Sequence, residues 1–96
     1  MLLEALTAQK DAINLLTRQY GARHVRVFGS VARGEYTEFS DIDLLVEFPQ
    51  GYDLFSQRLP LVQSLEKLLG RSVDLIPEHE LNRHIHPYVL REAIDL

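Results

Sequence analysis

The chain has 96 residues, no cysteine and a formal net charge of −4 at neutral pH. This length fits one small domain (residues 1–96), and the lack of cysteine excludes disulfide bonds and thiolate metal sites. The Lys and Arg residues are scattered, which disfavours binding of nucleic acid in bulk but does not exclude a nucleotide held through metal ions.

The N-terminal segment is predicted to form one amphipathic helix over about residues 2–19. Apolar residues recur at helical spacing and would share one face: Leu2, Leu6, Ile13, Leu16 and Tyr20. Gly21 follows as the predicted C-cap. We interpret the leucines of this face as core residues rather than as a groove for a partner.

Two short strands follow the first helix. The alternating segment HVRVFG (24–29) predicts the first, and a helical turn is expected directly after it, from Ser30 to about Arg33. IDLLVEF (42–48) predicts the second, ended by Pro49. Its even-numbered residues form one apolar side, and Asp41, Asp43, Leu45 and Glu47 would lie on the other.

The second half of the chain predicts a helix, a strand and a terminal helix. We expect a turn over 53–58 and a helix over about 60–69 with Pro60 in its first turn; one longer, kinked helix is the alternative. SVDLI (72–76) predicts the third strand, and a terminal helix is expected from about residue 87. This order indicates the α/β (α+β) class: a small mixed sheet with helices packed on it.

Three aspartates stand out on the predicted strands. Asp41 and Asp43 would project from the same face, and Asp74 would join them if the third strand neighbours the second. Carboxylates brought together repel each other and raise each other's pKa. Divalent cations remove that conflict, and oxygen ligands of this kind suit Mg²⁺. Two such ions about 3.5–4 Å apart are the usual arrangement in phosphoryl and nucleotidyl transfer.

Gly29 and Ser30 are placed where the first strand ends. A glycine lets another group approach the backbone closely, and the amides that open the following turn favour anions. The Ser30 hydroxyl adds a donor, although Ser30 could also be an ordinary N-cap. The sequence thus combines a place for a polyphosphate with a place for metal ions.

Gly29-Ser30, ten residues, and then Asp41-Ile42-Asp43 match the motif of the polymerase-beta-like nucleotidyltransferase superfamily. The string GSVARGEYTEFSDIDLLVEF resembles the minimal nucleotidyltransferases (MNT), many of which are antitoxins paired with HEPN ribonuclease toxins. The resemblance covers about residues 22–76, and Asp74 falls where that superfamily has its third carboxylate. It implies the polymerase-beta-like nucleotidyltransferase fold.

The resemblance also implies a mechanism. Asp41 and Asp43 would hold two Mg²⁺ ions, and Asp74 would hold one of them near the attacking hydroxyl and help it lose its proton. Gly29 and Ser30 would grip the β- and γ-phosphates of ATP. In MNT antitoxins, the acceptor is a tyrosine hydroxyl of the partner toxin.

Other residues leave alternatives open. Arg33 either reaches a triphosphate or pairs with Glu35 or Glu38 on the surface, and Gly34 fits a turn better than a ligand site. The aspartates before and within the strands could instead serve as caps or face water. The tail histidines (His79, His84 and His86) fit no metal-ligand spacing, and none of the tyrosines Tyr36, Tyr52 and Tyr88 is singled out as a contact for a base.

The implied function is a nucleotidyltransferase that modifies a partner protein, and the competing one is an antitoxin that neutralises its partner by contact alone. A transferase acting on a small molecule would need a second domain for the acceptor. We therefore expect a helical HEPN-type partner and a hetero-oligomer with several chains of each kind. The chain shows neither an apolar run of membrane-spanning length nor a signal peptide, which predicts a cytoplasmic location.

Overall fold

A computed structural model describes residues 2–96, which form a four-stranded sheet with helices packed on it. The helices are α1 (Leu2–Ala8), α2 (Lys10–Gln19), α3 (Gly29–Arg33), α4 (Leu59–Leu69) and α5 (His86–Glu92). The strands are β1 (Arg23–Phe28), β2 (Ile42–Glu47), β3 (Val73–Pro77) and β4 (Ile94–Asp95). A π-helical turn (Leu54–Arg58) precedes α4, and a 3₁₀ turn (Glu78–Glu80) follows β3.

The sheet is mixed and has the strand order β3-β2-β1-β4. β1 runs antiparallel to both of its neighbours, β2 and β4, whereas β2 and β3 are parallel. Parallel neighbours need a crossover connection, and the π-helical turn with α4 provides it. The predicted mixed sheet with helices on it is therefore confirmed.

The main core lies between the sheet and the helices α1, α2 and α4. Strand β2 contributes three fully buried side chains to it, Ile42, Leu44 and Val46. They pack with apolar residues of the helices and neighbouring strands, including Leu6, Ile13, Val25, Val27, Leu61 and Leu65. The opposite face of the sheet holds a smaller cluster of Phe28, Leu45 and Val89, through which α5 docks.

The predicted helix over 2–19 is interrupted at Gln9, so its expected continuity is wrong. Gln9 has φ −105° and ψ 14°, and its N–H donates to the Leu6 carbonyl oxygen three residues back at 3.0 Å. The apolar face itself is as predicted, since Leu6 and Ile13 are buried. The break lets α1 lie against α3 while α2 lies against β1 and α4.

Helical winding before α4 begins earlier than the predicted start near residue 60. The turn expected over 53–58 is a π-helical turn that continues into α4, and Pro60 lies in the first turn of α4. Pro60 has no N–H to donate to the preceding turn, and the wider π-helical winding accommodates its ring there. The structure thus lies between the two alternatives, a separate turn before the helix and one longer, kinked helix.

The predicted terminal helix ends at Glu92 and does not continue to the C-terminus. Ala93 is extended, and Ile94–Asp95 pair with Val27 and Arg26 as the edge strand β4. The Leu96 N–H then donates to the Val25 carbonyl oxygen at 3.0 Å. Across residues 2–96, no helix has the length and hydropathy needed to cross a bilayer.

Candidate active site

Three carboxylates lie at one end of the sheet face that carries α5. Asp43 of β2 and Asp74 of β3 are direct partners in the parallel register, so their side chains are neighbours on the same face. Asp41 lies just before β2, two residues from Asp43, which directs it to the same side. Asp41 and Asp74 are exposed and Asp43 is half-buried. The structure therefore brings together the three aspartates that the sequence singled out.

Asp43 has an unusual electrostatic environment. Partial burial raises the pKa of its carboxyl group from 3.8 to about 6, and the negative charges of Asp74 and Asp41 add to this effect. Arg33 acts in the opposite direction, but its positive charge does not offset the other contributions. This end of the sheet therefore carries an excess of negative charge, which favours binding of a cation.

Gly29 lies directly against Asp43. Its predecessor Phe28 is the register partner of Asp43, and Gly29 itself has a φ of +73°. A Cβ atom at this position would collide with the Asp43 carboxylate. Both the backbone conformation and the available space therefore require glycine at this position.

The residues after Gly29 form α3, as the sequence predicts. Ser30 is half-buried within α3, and Gly34 ends the helix with a φ of +74°. Gly34 therefore serves the turn, which agrees with the prediction. The Arg33 guanidinium contacts Glu35 at 2.9 Å and Glu92 at 3.0 Å. Of the two surface partners considered for Arg33, Glu35 is therefore used, and the alternative of a contact with a triphosphate stays open.

Glu92 was not identified from the sequence. Its Oε2 atom accepts a hydrogen bond from the Gly29 backbone N–H at 2.7 Å, while its carboxylate also pairs with Arg33. Glu92 is 63 residues from Gly29 along the chain, and only the docking of α5 on the sheet brings it there. No local sequence pattern could have indicated this contact.

No three His, Cys, Asp or Glu side chains within the described range 2–96 form a group that could hold a metal ion by themselves. Two of the three tail histidines have a carboxylate neighbour: His79 Nε2 lies 3.8 Å from Glu80, and His86 Nε2 lies 3.9 Å from Glu78. A surface depression lined by residues 21–23 and 47–49 lies at the other end of β1 and β2, away from the three aspartates.

Two of the three tyrosines considered as base contacts have structural roles. The Tyr36 hydroxyl accepts a hydrogen bond from the Leu2 N–H at 2.8 Å, and the Tyr52 ring stacks on Phe48 at 4.6 Å between centroids. Tyr88 is 65% exposed on α5.

Comparisons with known proteins identify the family of the chain. The model of the nucleotidyltransferase domain family matches residues 11–96. The protein adenylyltransferase MntA of Thermococcus cleftensis is 42% identical over 89 residues, which cover 93% of this chain and 86% of that protein. A relative from Methanocaldococcus jannaschii, assigned as a protein adenylyltransferase, is 46% identical over 76 residues, covering 78% of this chain and 73% of the relative.

Solved structures extend the comparison to the whole fold. A structure assigned to the minimal nucleotidyltransferases superposes with a TM-score of 0.86 at 49% identity and covers 100% of this chain and 97% of its own. A toxin–antitoxin structure with AMP-PNP gives a TM-score of 0.74 at 25% identity, covering 88% of this chain and 69% of that one. The predicted polymerase-beta-like fold and the resemblance to the minimal nucleotidyltransferases are therefore confirmed. The chain belongs to the nucleotidyltransferase domain family and is a nucleotidyltransferase enzyme.

Proposed function

We propose that this nucleotidyltransferase moves AMP from ATP to a tyrosine hydroxyl of a helical HEPN-type toxin and so acts as the antitoxin. The observation that carries the proposal is the register pairing of Asp43 with Asp74, directly beside Gly29. Relatives at 42% and 46% identity carry the name protein adenylyltransferase, and a related solved structure is a toxin–antitoxin with AMP-PNP, which supports the donor and the partner.

The three aspartates would hold a pair of Mg²⁺ ions only together with oxygens of the triphosphate, since by themselves they form no group of three metal ligands within residues 2–96. Their carboxylates are hard oxygen ligands at one end of the sheet, and burial together with the nearby like charges already raises the pKa of Asp43. Asp41 and Asp43 would bind both ions, and Asp74 would bind one of them. When bound, the ions neutralise phosphate charge and polarise the reacting phosphoryl group.

The remaining residues orient the nucleotide. The Gly29 backbone amide and the Ser30 hydroxyl would donate hydrogen bonds to the β- and γ-phosphates, and Arg33 would pair with the same phosphates. The tyrosine oxygen attacks the α-phosphorus while the bond from that phosphorus to the bridging oxygen breaks, and pyrophosphate leaves. Asp74 is exposed, which leaves it accessible to an acceptor, and in this proposal it accepts the proton of the tyrosine hydroxyl.

The openness of the site supports a protein acceptor. Asp41 and Asp74 are exposed, and the nearby loop carries Phe39, whose side chain is 87% exposed. An exposed aromatic side chain beside an exposed catalytic edge is suited to contact with another protein. We therefore propose that a partner covers this edge in a hetero-oligomer and presents its tyrosine there.

The test is transfer of label from α-³²P-ATP to the product of the neighbouring gene, with Mg²⁺ present. Wild type should label the partner on tyrosine, whereas Asp41→Ala with Asp43→Ala should not. Glu38→Ala is a matched control, since it removes one loop carboxylate outside the proposed site, and it should transfer label as wild type does. Absence of transfer with wild type, or its persistence in the double variant, would contradict the proposal. If the double variant transfers nothing yet still neutralises the partner, neutralisation occurs by binding alone.

A further inference from the structure

Glu92 places its carboxylate on the two groups that are best suited to bind an anion at this site. Its Oε2 atom accepts the Gly29 N–H at 2.7 Å, and Arg33 Nη1 lies 3.0 Å from Oε1 and 3.3 Å from Oε2. One anionic group therefore engages a backbone amide and a guanidinium at the same time. The two donors are positioned to share one anion, and in this structure the anion is part of the chain itself.

A carboxylate and a phosphate compete directly for such donors. Both present negatively charged oxygens at similar spacing, and a guanidinium pairs with either of them. They cannot bind together at short range, because two anions on the same donors repel each other. The Glu92 charge also acts on Asp43, whose pKa it helps to raise, so Glu92 adds to the negative charge of the whole edge.

The position of Glu92 allows it to leave without unfolding of α5. Its side chain is 27% exposed, so solvent already reaches it. α5 is anchored one turn earlier by Val89, which packs in the cluster with Phe28 and Leu45. Ala93 beyond it is extended, so the helix ends at Glu92. A rotamer change at Glu92, or fraying of the last turn, is sufficient to free Gly29 and Arg33.

We propose that Glu92 is an internal competitor of the nucleotide: its carboxylate occupies the position of a phosphate on Gly29 and Arg33, and the triphosphate of ATP must displace it to bind. This inference rests on the proposed function, because it assigns Gly29 and Arg33 to the triphosphate. ATP would then bind only to molecules in which Glu92 has left Gly29 and Arg33. The measured affinity for ATP would be lower than the intrinsic affinity by the fraction of molecules in that state.

The experiment compares wild type with Glu92→Gln and Glu92→Ala by calorimetric titration with ATP and, separately, with inorganic tripolyphosphate, both with Mg²⁺. Glu92→Gln keeps the size of the side chain and an oxygen that can accept the Gly29 N–H, so the fold is retained. Both variants should bind either probe about fivefold more tightly or better. Glu35→Gln is the matched control, since Glu35 pairs with Arg33 but has no contact with Gly29; it should stay within about twofold of wild type.

The outcomes separate this inference from the proposed function. If both Glu92 variants have wild-type urea midpoints and bind the probes no better than wild type, Glu92 only braces α5 and the competitor role is wrong; AMP transfer by wild type would still stand. A gain in affinity for tripolyphosphate equal to that for ATP assigns the competition to the phosphates. If no protein in the series binds either probe or transfers label, both the inference and the proposed function fail.

Discussion

The two faces of β2 serve different purposes within one strand of six residues. On the face toward α2 and α4, Ile42, Leu44 and Val46 are all fully buried. On the other face only Leu45 is fully buried, and the half-buried Asp43 and Glu47 lie on either side of it. One face stabilises the fold, and the other presents charge where the strand begins.

The difference shows how a small domain can tolerate a cluster of charged side chains at the end of a central strand. Strand β2 is central in the sheet, with β1 and β3 on its two sides, so its backbone is fixed by neighbours and by the core beneath it. Asp43 is therefore held in position although burial and its negative neighbours disfavour its charged form and raise its pKa. The apolar face supplies the stability that the charged end lacks.

The largest effect on stability should come from the apolar face. Leu44→Ala should lower the free energy of unfolding by about 3 kcal/mol, because it removes a fully buried side chain and leaves a cavity. Urea denaturation measures this change. Asp74→Asn, an exposed position on the other face, is the control and should change stability by less than about 0.5 kcal/mol. Equal losses for both variants would contradict the division between the faces.

Gly29 and Gly34 provide a matched pair for the contact between α3 and Asp43. Their φ angles are +73° and +74°, but a Cβ atom at Gly34 would meet nothing within 4 Å, whereas one at Gly29 would collide with Asp43. Gly34→Ala should therefore cost only the strain of a left-handed alanine, about 1 kcal/mol.

Gly29→Ala should cost about 2 kcal/mol or more, since Asp43 must also move, and it should abolish AMP transfer. Denaturation curves and the transfer assay on both variants check this expectation. If the two substitutions cost the same and leave transfer intact, Gly29 is not required by the site.

The charge on Asp43 should make stability depend on pH. Its pKa is about 6 in the fold and 3.8 for the model carboxyl, so the folded chain holds the proton more tightly. Its contribution to stability is present below about pH 4 and is lost as pH rises through 6. Without divalent metal, Asp43→Asn should therefore raise the free energy of unfolding at pH 7.5 by about 1 kcal/mol, after allowance for solvent screening.

Urea midpoints in EDTA at pH 7.5 and pH 3.5 measure this effect, and the gain should be absent at the lower pH. A variant that is less stable than wild type at pH 7.5, or a gain that is unchanged at pH 3.5, would show that burial and the neighbouring charges do not destabilise the charged form of Asp43.

The smallest effect is expected on the Asp43 face of the sheet, at the end opposite the three aspartates. Arg23 pairs with Glu47 at 3.2 Å, but the Arg23 side chain is 80% exposed. Arg23→Ala should change the free energy of unfolding by less than about 0.5 kcal/mol and leave AMP transfer unchanged. A loss of transfer would mean that the functional surface extends along the whole face rather than only its aspartate end.

Periodic and local features of the fold were predictable from the sequence. The alternation in IDLLVEF placed Ile42 and Asp43 on opposite faces, and the spacing from Gly29 to Asp41 identified the family. The break at Gln9 was not predictable, because the apolar spacing continues across it. The strand Ile94–Asp95 was not predictable either, because it depends on pairing with Val27 and Arg26, which are distant in sequence. The same holds for Glu92, which reaches Gly29 only after α5 has docked.

The central claim is that the aspartate end of this face binds divalent metal together with ATP. Paramagnetic broadening by Mn²⁺ in ¹H–¹⁵N spectra, with ATP present, tests it most directly. The account predicts broadening centred on the amides of Gly29, Asp41, Asp43 and Asp74, and its loss in Asp43→Asn. Broadening centred on the histidine-containing tail around residues 78–86, or broadening at Asp41 and Asp74 that survives in Asp43→Asn, would contradict it.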